Sequence, residues 1–189
     1  MAADRVCNVV LTGVKGVGKT TLGGLLADRL GWAFADLDDA AQAVAAERHP
    51  NPLLAVLNAL DHQAEAADRI LGRGGRQVVA TGAEVVQSPD LIARLRGRGL
   101  VVHVRRRGSI PRHLAFRLVD AQTGESLLNA GELQASYDRD IPLHDALADA
   151  AVDNEGSVED GLAALLALVE AWAAGRGGEA RPGPAGPDG

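Results

Sequence analysis

Cysteine is almost absent from this sequence, and so are long apolar runs. The single Cys7 among 189 residues excludes an internal disulfide, and a lone thiol does not build a structural zinc site. No apolar run reaches the roughly 18 residues that a membrane-spanning helix needs. Residues 1–10 also lack the basic-then-apolar pattern of a signal peptide. These absences predict a protein of the reduced cytoplasm that makes no membrane contact.

Aromatic residues are scarce as well, at 3% of the chain, so a core built from Leu, Val and Ala is expected. Apolar residues make up 47% and charged residues 23%, which is the balance of a globular protein rather than a disordered one. The net charge of -6 argues against a nucleic-acid partner. The length suits one domain. The oligomeric state stays open, with a monomer favoured.

Short β-branched runs alternate with helical patterns along the chain, which predicts an α/β fold with a parallel sheet. Apolar periodicity predicts helices between the runs, among them 38–47 and 132–148. Residues 175–189 are rich in Gly and Pro and are predicted to form a disordered tail after one domain spanning 1–174. The predicted strands are 6–12, 33–36, 77–81, 100–104 and 151–153.

A glycine-rich segment between the first strand and the first helix fits the pattern G-x-x-x-x-G-K-[ST]. Backbone N–H groups of such a loop surround phosphate oxygens, and the helix N-terminus adds partial positive charge. Lys19 is predicted to reach the β- and γ-phosphates, Thr20 to bind Mg²⁺ and Thr21 to lie near the α-phosphate. The alternative is a tight glycine turn with an incidental lysine. The predicted nucleotide-binding residues are Gly13, Val14, Lys15, Gly16, Val17, Gly18, Lys19, Thr20 and Thr21.

Two carboxylates, Asp36 and Asp38, follow the second predicted strand. Ligands of open α/β sheets bind at that edge. We expect Asp36 to hold Mg²⁺, directly or through water, and Asp38 to orient an acceptor hydroxyl and take its proton. The alternative is a helix start in which Asp38 is the N-cap.

The segments GVKGVGKTTLGGLLADRL and FADLD resemble the shikimate kinase family, and the resemblance extends more loosely over residues 7–172. It implies a P-loop NTPase fold of the nucleoside-monophosphate-kinase type, with a five-stranded parallel sheet flanked by helices and a lid. It also implies ATP and Mg²⁺ as cofactors, a small-molecule hydroxyl acceptor, and the roles given above to Asp36 and Asp38. The lid then corresponds to residues 105–131. Arg117 best matches the family's lid arginine, which acts on the transferring phosphoryl group or stacks on adenine, so Arg117 is also a predicted nucleotide-binding residue.

The acceptor side departs from the family pattern. The family holds the shikimate carboxylate with arginines and a G-G-G turn, whereas this chain has Gly82-Ala83-Glu84 at the turn. Acidic residues stand at or near the family's arginine positions: Glu65 by a loose alignment, Glu125 in the lid and Asp140 near the end. A carboxylate acceptor would face like charges there. The predicted acceptor-binding residues are Asp38, Glu65, Gly82, Glu84, Glu125 and Asp140.

Several functions remain open on the sequence alone. The favoured one is ATP- and Mg²⁺-dependent phosphorylation of a hydroxyl on a cationic amino-polyol, with Lys19, Asp38 and Arg117 catalytic. An uncharged polar acceptor and shikimate itself are alternatives. A further alternative is an inactive ATP-binding module that works through a partner protein. A self-contained NTPase switch is disfavoured, because the third strand ends in QVVATG without the aspartate that commonly holds metal in such switches.

Overall fold

The computed structural model describes residues 8–106 and 130–175. Five parallel strands form one sheet in the order β2-β3-β1-β4-β5, which confirms the predicted α/β architecture. Arg117 and Glu125, most of the expected lid and the tail after residue 175 lie outside the described residues. The strands are Asn8–Thr12 (β1), Ala33–Asp36 (β2), Gln77–Ala80 (β3), Leu100–Arg105 (β4) and Ala150–Asp153 (β5).

Helices connect the strands and cover both faces of the sheet. Several observed ends differ from the predicted ones by one or two residues: Arg105 extends β4, for example, and the helix expected at 132 already begins at Ala130. None of the helices in the described parts of the chain is long and apolar enough to cross a membrane. They are Lys19–Leu30 (α1), Leu37–Arg48 (α2), Pro52–Leu57 (α3), Gln63–Leu71 (α4), Pro89–Arg96 (α5), Ala130–Leu147 (α6) and Val158–Ala173 (α7), with 3₁₀ turns at Ala59–His62 and Ala83–Gln87.

Local signals in the sequence explain where several helices begin. Ser88 accepts a hydrogen bond from the Leu91 backbone and Pro89 occupies the first turn of α5, as predicted. Ser157 and Asp160 form a reciprocal capping box at the start of α7. These contacts satisfy N–H groups that the first helical turn otherwise leaves free.

The core forms two apolar layers, one on each face of the sheet. Alternate residues of β1 point to opposite faces: Val9 and Leu11 pack with α1 and α7, and Val10 packs with α2, α4 and α5. All three side chains are fully buried. The central strands are therefore held on both faces, and their carboxyl ends form a fixed edge.

The strand order gathers three loops at that edge. Leu11 of β1 lies beside Ala80 of β3, which in turn lies beside Asp36 of β2. The chain leaves β1 at Gly13, β2 at Asp36 and β3 at Thr81, so these loops meet above neighbouring strands. This is the crevice in which ligands of open parallel sheets bind.

Candidate active site

The glycine-rich loop joins β1 to α1. Gly13 and Gly18 have φ values of 145° and 97°, a backbone region that residues with a side chain rarely adopt. A methyl group added at Gly13 would also lie 2.6 Å from the Val104 carbonyl oxygen. Glycine is therefore required at these turns, and the alternative of an incidental lysine is disfavoured by where the loop delivers Lys19.

Lys19 is buried beneath the loop. Its Nζ donates to the carbonyl oxygens of Gly13 at 2.7 Å and Val14 at 3.0 Å. Burial lowers the pKa of this ammonium from 10.5 to about 8, against the opposing influence of Asp38, Glu84 and Asp36. The amine thus lies at the floor of the cleft, with a pKa close to neutral pH.

Thr20 and Asp36 lie in direct contact. The Thr20 hydroxyl donates to Asp36 Oδ2 at 2.9 Å, and Asp36 Oδ1 accepts from the Asp38 backbone N–H at 3.1 Å. Asp36 is therefore the N-cap of α2, and the alternative that Asp38 caps this helix was wrong. The hydroxyl and carboxylate oxygens of this pair are ligands that suit Mg²⁺, which takes few protein ligands and keeps waters and phosphates.

The carboxylate of Asp38 lines the cleft. Its Oδ1 accepts a hydrogen bond from Gln63 Nε2 at 3.1 Å. The pKa of this carboxyl is raised by burial first and then by the negative charges of Asp36 and Glu84. Gln63 was not among the predicted site residues, although it opens the buried stripe of α4, where Ala66, Ala67 and Ile70 follow at helical spacing. A polar residue on such a stripe indicates a buried partner.

Glu84 and Asp38 converge on Gly82. A methyl group added at Gly82 would lie 2.5 Å from Asp38 Oδ1 and 3.0 Å from Glu84 Oε2. Its backbone angles of -61° and 161° are open to any residue. The absence of a side chain at Gly82 thus leaves room for the two carboxylates, and a larger residue would displace the Asp38 carboxylate.

Together these groups line a cleft of about 180 Å³. Its lining combines the loop and Lys19 with the three carboxylates of Asp36, Asp38 and Glu84. No arginine lines the cleft within 8–106 and 130–175. The lining residues are Lys15, Gly16, Lys19, Thr20, Asp36, Asp38, Thr81, Gly82, Ala83 and Glu84.

Two acids that the sequence placed at the acceptor side are not among the residues that line this cleft. Glu65 accepts hydrogen bonds from Arg48 at 2.9 Å and Arg69 at 2.6 Å. Asp140 accepts one from Arg139 at 2.8 Å. In both cases the hydrogen bonds from arginine lower the pKa of the carboxyl. These two carboxylates already have cationic partners, whereas Asp36, Asp38 and Glu84 are the acids that line the cleft among the described residues.

Two residues distant in sequence also hold the loop through hydrogen bonds to its carbonyl oxygens, and neither was predicted from the sequence. Asn154, after β5, donates through Nδ2 to the Val17 carbonyl oxygen at 2.8 Å. The Tyr137 hydroxyl of α6 donates to the Lys15 carbonyl oxygen. Their positions depend on long-range packing, and no local motif marks them.

The arrangement of a phosphate loop before α1 and carboxylates after β2 and β3 is that of a P-loop kinase. A family model described as shikimate kinase matches residues 15–168. A protein of Geobacter metallireducens named shikimate kinase is 34% identical over 182 residues, covering 89% of this chain and 95% of the relative. The chain therefore belongs to the shikimate kinase family.

Solved structures share the fold. The crystal structure of shikimate kinase from Aquifex aeolicus superposes with a TM-score of 0.66 at 20% identity, covering 89% of this chain and 99% of that one. A gluconokinase from Sinorhizobium meliloti gives a TM-score of 0.56 at 20% identity, covering 90% of this chain and 96% of that one. The fold prediction of a P-loop kinase is confirmed.

Gly82→Ala is expected to impair turnover without unfolding the protein. The added methyl group must displace the Asp38 carboxylate, so kcat should fall at least tenfold while MgADP affinity, measured by calorimetry, changes little. Gly24→Ala is the matched control, because a methyl group there meets nothing within 4 Å. Equal activity of the two variants would show that Asp38 can move without consequence.

The affinity for MgADP is expected to fall as the pH rises through about 8. In the free protein Lys19 loses its proton in that range, whereas bound phosphate favours the charged amine, so binding should take up protons between pH 7.5 and 9. Calorimetry in two buffers of different ionisation enthalpy measures this uptake. Lys19→Met should abolish the uptake, and Lys15→Gln should retain it; uptake that persists in Lys19→Met would assign the proton to another group.

Proposed function

We propose that this protein is an ATP- and Mg²⁺-dependent kinase that phosphorylates a hydroxyl group of a small cationic acceptor such as an amino-polyol. The observation that carries the proposal is the convergence of the Asp38 and Glu84 carboxylates on Gly82, opposite Lys19. The loop residues and Lys19 suit a nucleotide. The carboxylates of Asp38 and Glu84 suit an acceptor that bears positive charge.

The loop residues would bind the triphosphate. Lys19 exchanges its two carbonyl partners for phosphate oxygens, and backbone N–H groups of the loop surround the same oxygens. Thr20 and Asp36 would hold Mg²⁺, which supplies neutralisation of the charge that builds up between the β- and γ-phosphates. Catalysis by these residues is positioning and charge stabilisation.

Asp38 would act on the acceptor hydroxyl. The hydrogen bond from Gln63 fixes one carboxylate oxygen, leaving the other to accept the hydroxyl proton. The raised pKa makes this carboxylate a stronger base than an ordinary aspartate. The hydroxyl oxygen can then attack the γ-phosphorus in line with the departing ADP.

The charge of the cleft bears on the acceptor. A carboxylate placed beside Asp38 and Glu84 meets like charges at short range, whereas an ammonium group gains hydrogen bonds to charged oxygens. Arginines neutralise Glu65 and Asp140, so these two acids do not contribute to the preference for a cation. The preference comes from the carboxylates of Asp38 and Glu84.

A second candidate is the phosphorylation of shikimate. The observation in its favour is the 34% identity to a relative that carries the name shikimate kinase. The two candidates share the nucleotide site and the role of Asp38. They differ in the charge that the acceptor presents to Glu84.

ADP release from MgATP distinguishes these candidates. Hydroxylated amines and aminocyclitols are expected to stimulate release, and shikimate is not. Glu84→Gln should raise KM for the cationic acceptor about tenfold, the equivalent of about 1.4 kcal/mol, and change KM for ATP much less, through the influence of Glu84 on Lys19. Stimulation by shikimate alone would overturn the cationic acceptor in favour of the second candidate. Silence across the panel with MgADP binding intact would instead indicate a non-catalytic ATP-binding module.

The acid limb of the kcat/KM profile is expected to report Asp38. An ordinary aspartate has a pKa of about 3.9. Because the pKa of Asp38 is raised, this carboxyl takes up a proton, and activity falls, at a higher pH than that. Glu84→Gln removes a neighbouring negative charge and should move this limb to lower pH. Asp38→Asn should abolish turnover while MgADP still binds, and the exposed neighbour Asp39→Asn should behave as wild type. An acid limb that Glu84→Gln leaves in place would assign it to another group.

A further inference from the structure

Helix α6 contacts the phosphate loop through one face. Tyr137, Ile141 and His144 follow at spacings of four and three residues, which places them on one stripe of the helix. The Tyr137 hydroxyl donates to the carbonyl oxygen of Lys15. His144 Nδ1 lies 2.7 Å from the hydroxyl of Thr12, the residue that precedes the loop. The helix therefore contacts both the root of the loop, at Thr12, and its tip, at Lys15.

The contact at the tip determines which way one peptide group faces. The peptide bonds of the described residues are all trans, so the Lys15 carbonyl and the Gly16 N–H point in opposite directions. Tyr137 packs in the core layer with Val14 and Val17, whereas Gly16 lines the cleft. A carbonyl directed at Tyr137 thus turns the Gly16 N–H away from the core layer and toward the side where phosphate would bind.

The contact at the root belongs to a small cluster of buried polar side chains. Thr12, His103 and His144 are fully buried, and the two imidazole rings lie 5.3 Å apart. His103 Nδ1 lies 2.9 Å from Asp145, which also accepts from Arg105. The imidazole rings thus connect the end of β1 to β4 and α6 through hydrogen bonds.

His144 is suited to this place only as a neutral ring. Its pKa is lowered to about 3, by burial first and then by nearby His103 and Lys19, while Asp140 and Asp145 act in the opposite sense. A neutral imidazole has one nitrogen that accepts a hydrogen bond, so Nδ1 can accept the hydrogen bond that the Thr12 hydroxyl donates. The loop root is therefore held without placing a second cation beside Lys19.

We propose that Tyr137 and His144 are positioning residues for nucleotide binding: they hold the phosphate loop so that the Gly16 N–H faces the phosphates. Neither touches the reacting atoms. The inference rests on the proposed function in one respect, that the loop binds a nucleotide. It adds that α6, remote in sequence, sets the orientation of a phosphate-binding group.

Tyr137→Phe tests the contact at the tip. The ring stays in the core layer and only the hydroxyl is lost, so the variant should fold. MgADP affinity measured by calorimetry is expected to fall about tenfold, and KM for ATP to rise while KM for the acceptor stays within twofold. The matched control is Asn8→Ala, which removes a buried hydrogen-bonding side chain at the opposite end of β1. The control should lower the melting temperature without changing MgADP affinity.

Thr12→Val and Thr12→Ser test the root independently. Valine matches the shape of threonine without the hydroxyl and should weaken MgADP binding, whereas serine keeps the hydroxyl and should restore it. MgADP affinity within twofold of wild type in both Tyr137→Phe and Thr12→Val would overturn the inference. Weakened binding in Asn8→Ala to the same extent would also overturn it, since loss of stability would then explain all three variants. If the wild-type protein itself binds no MgADP, the proposed function fails instead.

Discussion

Burial of the Lys19 ammonium is the constraint on which the rest of this site depends. A cation withdrawn from water needs hydrogen-bond acceptors and negative charge nearby. Two loop carbonyls provide the acceptors, and the carboxylates of Asp36, Asp38 and Glu84 provide the negative charge. The loop can offer those carbonyls only because Gly13 and Gly18 adopt left-handed backbone. The carboxylates reach the same place only because β2, β3 and β1 are neighbours in the sheet.

The same carboxylates link the nucleotide side to the acceptor side. Asp36 joins Thr20 to the start of α2, and α2 begins where Asp38 can enter the cleft. Gln63 then connects Asp38 to α4. A change of charge at one of these groups is felt by its neighbours, as the shared influences on Lys19 and Asp38 indicate. In the proposed function, metal binding, proton acceptance and the charge preference for the acceptor would therefore depend on one connected group of side chains.

Local sequence patterns predicted the fold and the loop because each of those features has a local cause. Alternating strand and helix periods, the glycine spacing before Lys19 and the Ser88-Pro89 helix start are all readable within a few residues. The acceptor side was harder, since alignment with the family's arginine positions placed Glu65 and Asp140 there, whereas their partners Arg48, Arg69 and Arg139 emerge only from tertiary packing. Gln63, Tyr137 and Asn154 were missed for the same reason: their partners are 25 to 137 residues away.

The phosphate loop also concentrates one kind of reactivity. Lys15 and Lys19 are the only lysines of the chain, and every other basic side chain apart from histidine is an arginine. Lys15 is exposed and Lys19 carries a depressed pKa. Guanidinium groups resist acylation at neutral pH, so acetylation or an amine-directed label finds its side-chain targets in this loop alone. Covalent lysine chemistry on this protein is, by its composition, chemistry at the nucleotide site.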